Sequence, residues 1–86
     1  MTNEIIELLS FVEISQNRSK ILKSLSDGAL FPSKIAKNTD IRINQVSTTL
    51  KELKEKGLVI LLNPDAKIGR YYELTDKGKE VLKGIE

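Results

Sequence analysis

Apolar residues recur along most of this chain with a helical period, and the pattern turns extended only once, just after Gly57. Taking about 100° per residue, Ile43, Val46, Leu50 and Leu53 share one stripe of the stretch RINQVSTTLKELKEK, from Arg42 to Lys56. Asn44, Thr48 and Lys51 point the other way, with Gln45 and Ser47 on the flanks. The stripe predicts a helix docked on a core. The outer face of its first two turns carries amides, hydroxyls and a lysine, whereas the Glu/Lys mixture of an ordinary solvated face begins only at Glu52, Lys54 and Glu55. Amide and hydroxyl side chains both donate and accept hydrogen bonds, as reading base edges in a DNA major groove requires. Taken alone, the helix fits a recognition element or a partnerless polar surface helix.

Upstream, Ile5, Ile6, Leu8, Leu9 and Val12 predict a helix over residues 3–13 with Thr2 as its N-cap. Such a helix serves either as the first core element or as a dimer contact. A second helix is expected from Gln16 to Ser26, with Ile21, Leu22 and Leu25 inward and Arg18, Lys20 and Lys23 outward. Ser15 to Asn17 interrupts the first two helices only weakly. Asp27-Gly28 is the stop, Gly28 suiting a left-handed cap. Leu30 and Phe31 form an apolar bridge to the core, and Pro32 suits the first position of a short helix over 32–38, with Ile35 and Ala36 inward. Asn38-Thr39-Asp40 makes a tight turn, Asn and Asp being the non-glycine residues that best tolerate positive φ. Ile41 plugs that turn. Residues 32–56 thus have the spacing of a helix-turn-helix.

After Gly57, Leu58 to Leu62 is β-prone, Asn63-Pro64-Asp65 breaks it, and Arg70 to Leu74 returns as its antiparallel partner. The loop carries Lys67, with Arg70 just beyond. A basic hairpin behind a helix-turn-helix is a wing, which lies along phosphate or enters the minor groove. The strand 58–62 is apolar throughout, so either Ile60 or the pair Val59 and Leu61 needs a second cover, from the last helix or a second subunit. Tyr72, in phase with Leu74, is the core tyrosine, and Tyr71 is free to stack near the groove. Thr75 caps a final helix from Asp76 to about residue 83, with Val81 and Leu82 inward. The fold class is α+β, mostly α, as one domain over residues 1–86. Within it lie the N-terminal helix (1–14), the helix-turn-helix (32–56), the hairpin (57–74) and the last helix (75–84).

Composition narrows the chemistry. Among 86 residues there is no cysteine and no histidine, which removes disulfides, thiolate metal sites and the commonest general base and nitrogen ligand. The carboxylates are scattered among lysines, so no enzyme, metal or cofactor is expected. The acidic start MTNEIIELLSFVEI lacks a basic n-region, and no apolar run approaches about 20 residues, so a cytoplasmic protein with no membrane partner is expected. Net charge is only +2, but residues 1–14 hold three glutamates and no basic residue, while all fourteen lysines and arginines follow. A basic body behind an acidic helix suits a domain that meets polyanion on one side; chance segregation in a small protein produces the same pattern.

Three segments, NRSKILKSLSDG, PSKIAKNTDIRINQVSTTLKELKEKGLV and NPDAKIGRYYELTDKGKEVL, carry a family resemblance over about three quarters of the chain. The stretch from Asn17 to Val81 resembles archaeal winged-helix regulators akin to the MarR and ArsR groups. The resemblance implies sequence-specific binding of double-stranded DNA, usually as a homodimer, with transcription control as the outcome. Its groove-reading positions fall on Arg42, Asn44, Gln45 and Thr48, and its phosphate positions on Ser47, Lys51, Lys67 and Arg70. Read from its residue type alone, Arg42 could equally read guanine, contact phosphate or pair with Asp40. The family's usual Ser or Thr caps are replaced here by Phe31 and Arg42, and its frequent turn glycine by Asp40. An alternative use of the same fold is a protein–protein interaction module in a larger assembly, for which the apolar surplus at residues 5–12 and 58–62 speaks.

Overall fold

The computed structural model describes residues 3–85, so the expected cap Thr2 lies outside the described residues. The order is α1 (Asn3–Glu13), α2 (Gln16–Ser24), α3 (Pro32–Thr39), α4 (Ile43–Glu55), β1 (Val59–Leu61), β2 (Tyr72–Leu74) and α5 (Asp76–Ile85). This is the mostly helical α+β architecture the patterning predicts, with five helices and one antiparallel hairpin.

The first two helices do not run together. Ser15 is extended at φ −131°, and its side chain accepts from the backbone N–H of Arg18 at 3.3 Å, so it caps α2. The helix ends two residues short of the expected Ser26. Its last turn tightens into i→i−3 bonds, from Leu25 N to Leu22 O and from Ser26 N to Lys23 O. Gly28 has φ 143° and stands beyond that end, so it does not serve as the left-handed helix cap.

Eight side chains, Ile21, Leu22, Ile35, Val46, Leu50, Leu53, Leu58 and Val81, form the fully enclosed centre of the core, each at 0 % exposure together with Val12 on α1. α1 packs on α5 and α2 through Ile5, Leu8 and Val12, so it is a core helix, and Ile6 is left half-exposed. The ion pair between Lys77 of α5 and Glu4 of α1 crosses the same seam.

Arg18, expected to point outward, is half-buried instead. Its Nη1 donates to Phe11 O at 2.8 Å, its Nε and Nη2 each approach the Glu52 carboxylate at 3.4 Å, and its guanidinium lies 3.8 Å from the Phe11 ring centre. One side chain thereby ties the ends of α1 and α2 to α4. A planar cation with five donors can satisfy a carbonyl, a carboxylate and a ring face at once.

The paired strands are shorter than the apolar runs. Val59 faces Leu74, Ile60 faces Glu73 and Leu61 faces Tyr72. Val59 and Leu61 are buried, while Ile60 is 48 % exposed on the outer face, which no element among the described residues covers. Leu30 adds a one-residue third rung by exchanging two 3.0 Å bonds with Tyr72. Tyr72 packs against the core as its phase with Leu74 requires. α5 begins where expected, with Thr75 Oγ1 accepting from Gly78 N at 3.0 Å and donating to Gly57 O at 2.6 Å.

Candidate nucleic-acid interface

The two helices that build the candidate site meet at a turn that needs positive φ. Asp40 supplies it at φ 61°, and its N–H donates to Ala36 O at 2.9 Å. Ile41 then buries to 8 % exposure and holds the turn on the core. Neither α3 nor α4 has an acidic residue in its first turn, so neither helix offsets the positive end of its dipole with a carboxylate of its own first turn.

Along α4 the buried positions are Val46, Thr49, Leu50 and Leu53. This corrects the expected stripe at its start, because Ile43 is 51 % exposed, and it adds Thr49, which is buried at the opposite edge of the stripe. A helical stripe continues only as far as there is a neighbour to cover it, and the first turn of α4 projects past its neighbours. Arg42, Asn44, Gln45, Ser47, Thr48 and Lys51 are all exposed. Lys67 and Arg70 are exposed as well, so all eight expected site residues are accessible, and none is covered by the packing of the described residues.

Local bonds pre-set part of this face. Arg42 gives α4 no side-chain cap, but Asn44 Oδ1 accepts from Gln45 N at 3.0 Å and takes over one of the orphan amides. Thr48 Oγ1 donates back to Asn44 O at 3.0 Å. Asn44 keeps both amide protons and a second lone pair, and Gln45 keeps its whole side-chain amide. Of the three roles open to Arg42, pairing with Asp40 is not adopted: the ion pairs among the described residues are Arg18–Glu52 and Lys77–Glu4.

The wing is braced from within. Asn63 Nδ2 donates to Gly69 O and its Oδ1 accepts from Tyr71 N, both at 2.8 Å, and Gly69 turns the chain at φ 68°. Arg70 folds back on the loop, donating to Ala66 O at 3.0 Å and reaching Pro64 O at 3.5 Å. It shapes the wing while retaining donors for a second partner. At the wing's root the ring of Tyr71 lies 3.8 Å from that of Phe31, centre to centre and tilted by 34°. Phe31 thus gives up the capping role of a serine or threonine and fastens the wing to the start of α3.

Recesses flank the outer face of α4 on both sides. On the α2 side, Ser15 and Asn17 border Asn44, Gln45 and Thr48. On the wing side, Phe31, Ser33, Ile43 and Ser47 border Lys67 and Ile68. Sequence reasoning missed Asn17, Ser33, Ile43 and Ile68. Ser33 had a signal, its place directly after the helix-starting Pro32; Asn17 had none, because only the tertiary fold brings α2 beside α4.

A helix-turn-helix with its second helix uncovered, followed by a braced basic hairpin, defines a winged helix. The match to a family model described as Winged helix-turn-helix extends over residues 5–86, and the chain belongs to that family. Among solved structures it is similar to a mutant MarR from E. coli complexed with operator DNA, at 26 % identity and TM-score 0.74 over 94 % of this chain and 59 % of that one. A MarR family transcriptional regulator from Silicibacter pomeroyi matches at 28 % identity and TM-score 0.76, over 92 % of this chain and 54 % of that one. The chain therefore spans less than two thirds of either protein. An ArsR family transcriptional regulator shares the fold at 17 % identity and TM-score 0.68, over 99 % of this chain and 86 % of that one. No curated protein matches by sequence.

Proposed function

We propose that this chain is a cytoplasmic regulator of transcription that binds double-stranded DNA with sequence preference, and that it acts by binding rather than by catalysis. The observation that carries the proposal is the division of α4, whose Val46, Leu50 and Leu53 are fully buried while Asn44, Gln45, Ser47, Thr48 and Lys51 stand in solvent. A helix held rigidly by one face and lined with hydrogen-bonding groups on the other is what major-groove reading needs. The likeness to a MarR that is complexed with operator DNA supports the same reading. Arg42, Asn44, Gln45 and Thr48 are assigned to base edges. Ser47, Lys51, Lys67 and Arg70 are assigned to the sugar–phosphate backbone, with the wing (63–70) along the backbone or in the minor groove.

The test is a selection on random duplexes repeated at two salt concentrations. A preferred sequence should emerge, and log affinity should fall linearly with log salt by about 0.9 for every phosphate neutralised. Lys51→Ala should weaken preferred and scrambled duplexes alike and reduce the salt slope by about 1. Unchanged affinity and slope in Lys51→Ala would remove that residue from the interface, and no sequence enrichment in the parent would remove the function.

The active unit in this proposal is a homodimer on two half-sites about 34 Å apart, one helical turn of DNA. Apolar side chains left half-exposed or more, Ile6 and Ile14 near the first helix and Ile60 and Leu62 on the hairpin, offer surface for a second copy. Gel filtration should give one sharp dimer peak. A monomer that streaks on the column would instead favour the second reading, a module whose apolar surface awaits a different protein.

A further inference from the structure

Ile43 is the one apolar residue of α4 that the fold leaves in solvent. It is 51 % exposed, whereas Val46, Leu50 and Leu53 are at 0 %. It stands at the edge where the buried stripe meets the outward face, one helical turn before the exposed Ser47. It is also not isolated. With Phe31, Pro32 and Gly69 it lines the wing-side recess, about 460 Å³ in volume, whose rim carries Lys67 and Arg70. This places a patch of hydrocarbon beside the amides, hydroxyls and cations of the outward face.

In the major groove the base edges present donors, acceptors and one apolar group, the C5-methyl of thymine. We infer that Ile43 is a specificity residue that packs on a thymine methyl in each half-site, beside the base pair met by Asn44. The inference rests on the DNA-binding reading of α4 and adds a base preference that its polar residues do not supply. The N-terminal residues of a recognition helix are the ones that reach base edges, and Ile43 is the first residue of α4. An isoleucine here gains nothing for the fold by its exposed half. On DNA the same atoms and the methyl group would leave water together, and the rim cations Lys67 and Arg70 would sit over the flanking phosphates.

Deoxyuridine in place of thymidine tests this directly, because it removes the methyl and keeps every hydrogen-bonding atom. In the duplex selected by the parent protein, each thymine is replaced in turn and affinity is measured. One position per half-site should weaken by about 3- to 5-fold on loss of its methyl, the scale expected for one buried carbon. Ile43→Ala should bind the thymine and uracil duplexes equally at that position while still discriminating at the remaining base pairs, and Ile43→Val should keep most of the difference. Indifference of the parent to uracil at every thymine overturns the inference and leaves the DNA-binding reading standing. So does an Ile43→Ala protein that retains the parent's thymine-to-uracil ratio. If Ile43→Ala changes only the oligomeric state in sedimentation, a second copy covers the patch and the inference falls. If the parent prefers no duplex at all, the DNA-binding reading falls first and takes this one with it.

Discussion

Replacing Gly78 by alanine should lower the melting temperature of this protein by about 12–24 °C, the shift expected for roughly 3 kcal/mol in a domain of this size. A β-carbon built on Gly78 lies 2.1 Å from Leu58 O, 3.1 Å from Leu58 C and 3.3 Å from Leu74 Cδ2. The first two are backbone atoms at the entry to β1, so no rotamer change relieves the overlap. Overpacking usually costs about 1–3 kcal/mol, and a backbone obstacle places this site at about 4 or above. Alanine returns about 1 kcal/mol through its higher helix propensity, which leaves the net loss stated. α5 cannot slide away, because Thr75 clamps its start to Gly57 O and to Gly78 N. Thermal unfolding followed by circular dichroism measures the shift. A melting point within about 3 °C of the parent would mean that α5 and β1 do not approach as closely as described.

The second large effect concerns discrimination between DNA sequences. Asn44→Ala combined with Gln45→Ala should reduce the ratio of affinities for preferred and scrambled duplexes by about 30-fold or more, each of the two bidentate base contacts being worth about 1–3 kcal/mol. Affinity for scrambled duplex should change little, since neither residue carries charge. Asn44 Oδ1 also holds the Gln45 amide, so part of any loss could come from a frayed first turn. Asn44→Asp separates the two effects. It keeps the acceptor for that amide and removes the donors an adenine would need, so it should retain the helix and lose the preference. A double variant whose affinity ratio stays within about two-fold of the parent would take both amides out of base reading.

These expectations could be drawn because much of the chain is legible as local chemistry. The period of apolar residues locates every helix, since each helix must bury one stripe. Pro32 and Thr75 mark starts, and Asp40 marks the turn that needs φ of 61°, because these depend on a residue's own backbone preferences. The outward set Arg42, Asn44, Gln45, Ser47, Thr48 and Lys51 was equally readable, as the complement of the buried stripe. Where the patterning misleads, the cause is non-local. Ile43 fits the α4 stripe by angle but lies beyond the reach of its neighbours. Arg18 looks like an ordinary surface cation until Phe11 O and Glu52, the latter 34 positions away, close around it. The rung between Leu30 and Tyr72 is a single residue long and too short to show a period.

The amino-acid sequence by itself determined the order of elements, the turn, the Thr75 cap and which polar side chains of α4 could face a partner, because backbone preference and hydrophobic period act over a few neighbouring residues. Only the tertiary structure decided that Val59 and Leu61 rather than Ile60 turn inward, that Phe31 anchors the wing, and that Gly78 admits no side chain. Those outcomes depend on atoms brought together from distant parts of the chain, and no local pattern encodes how closely they meet.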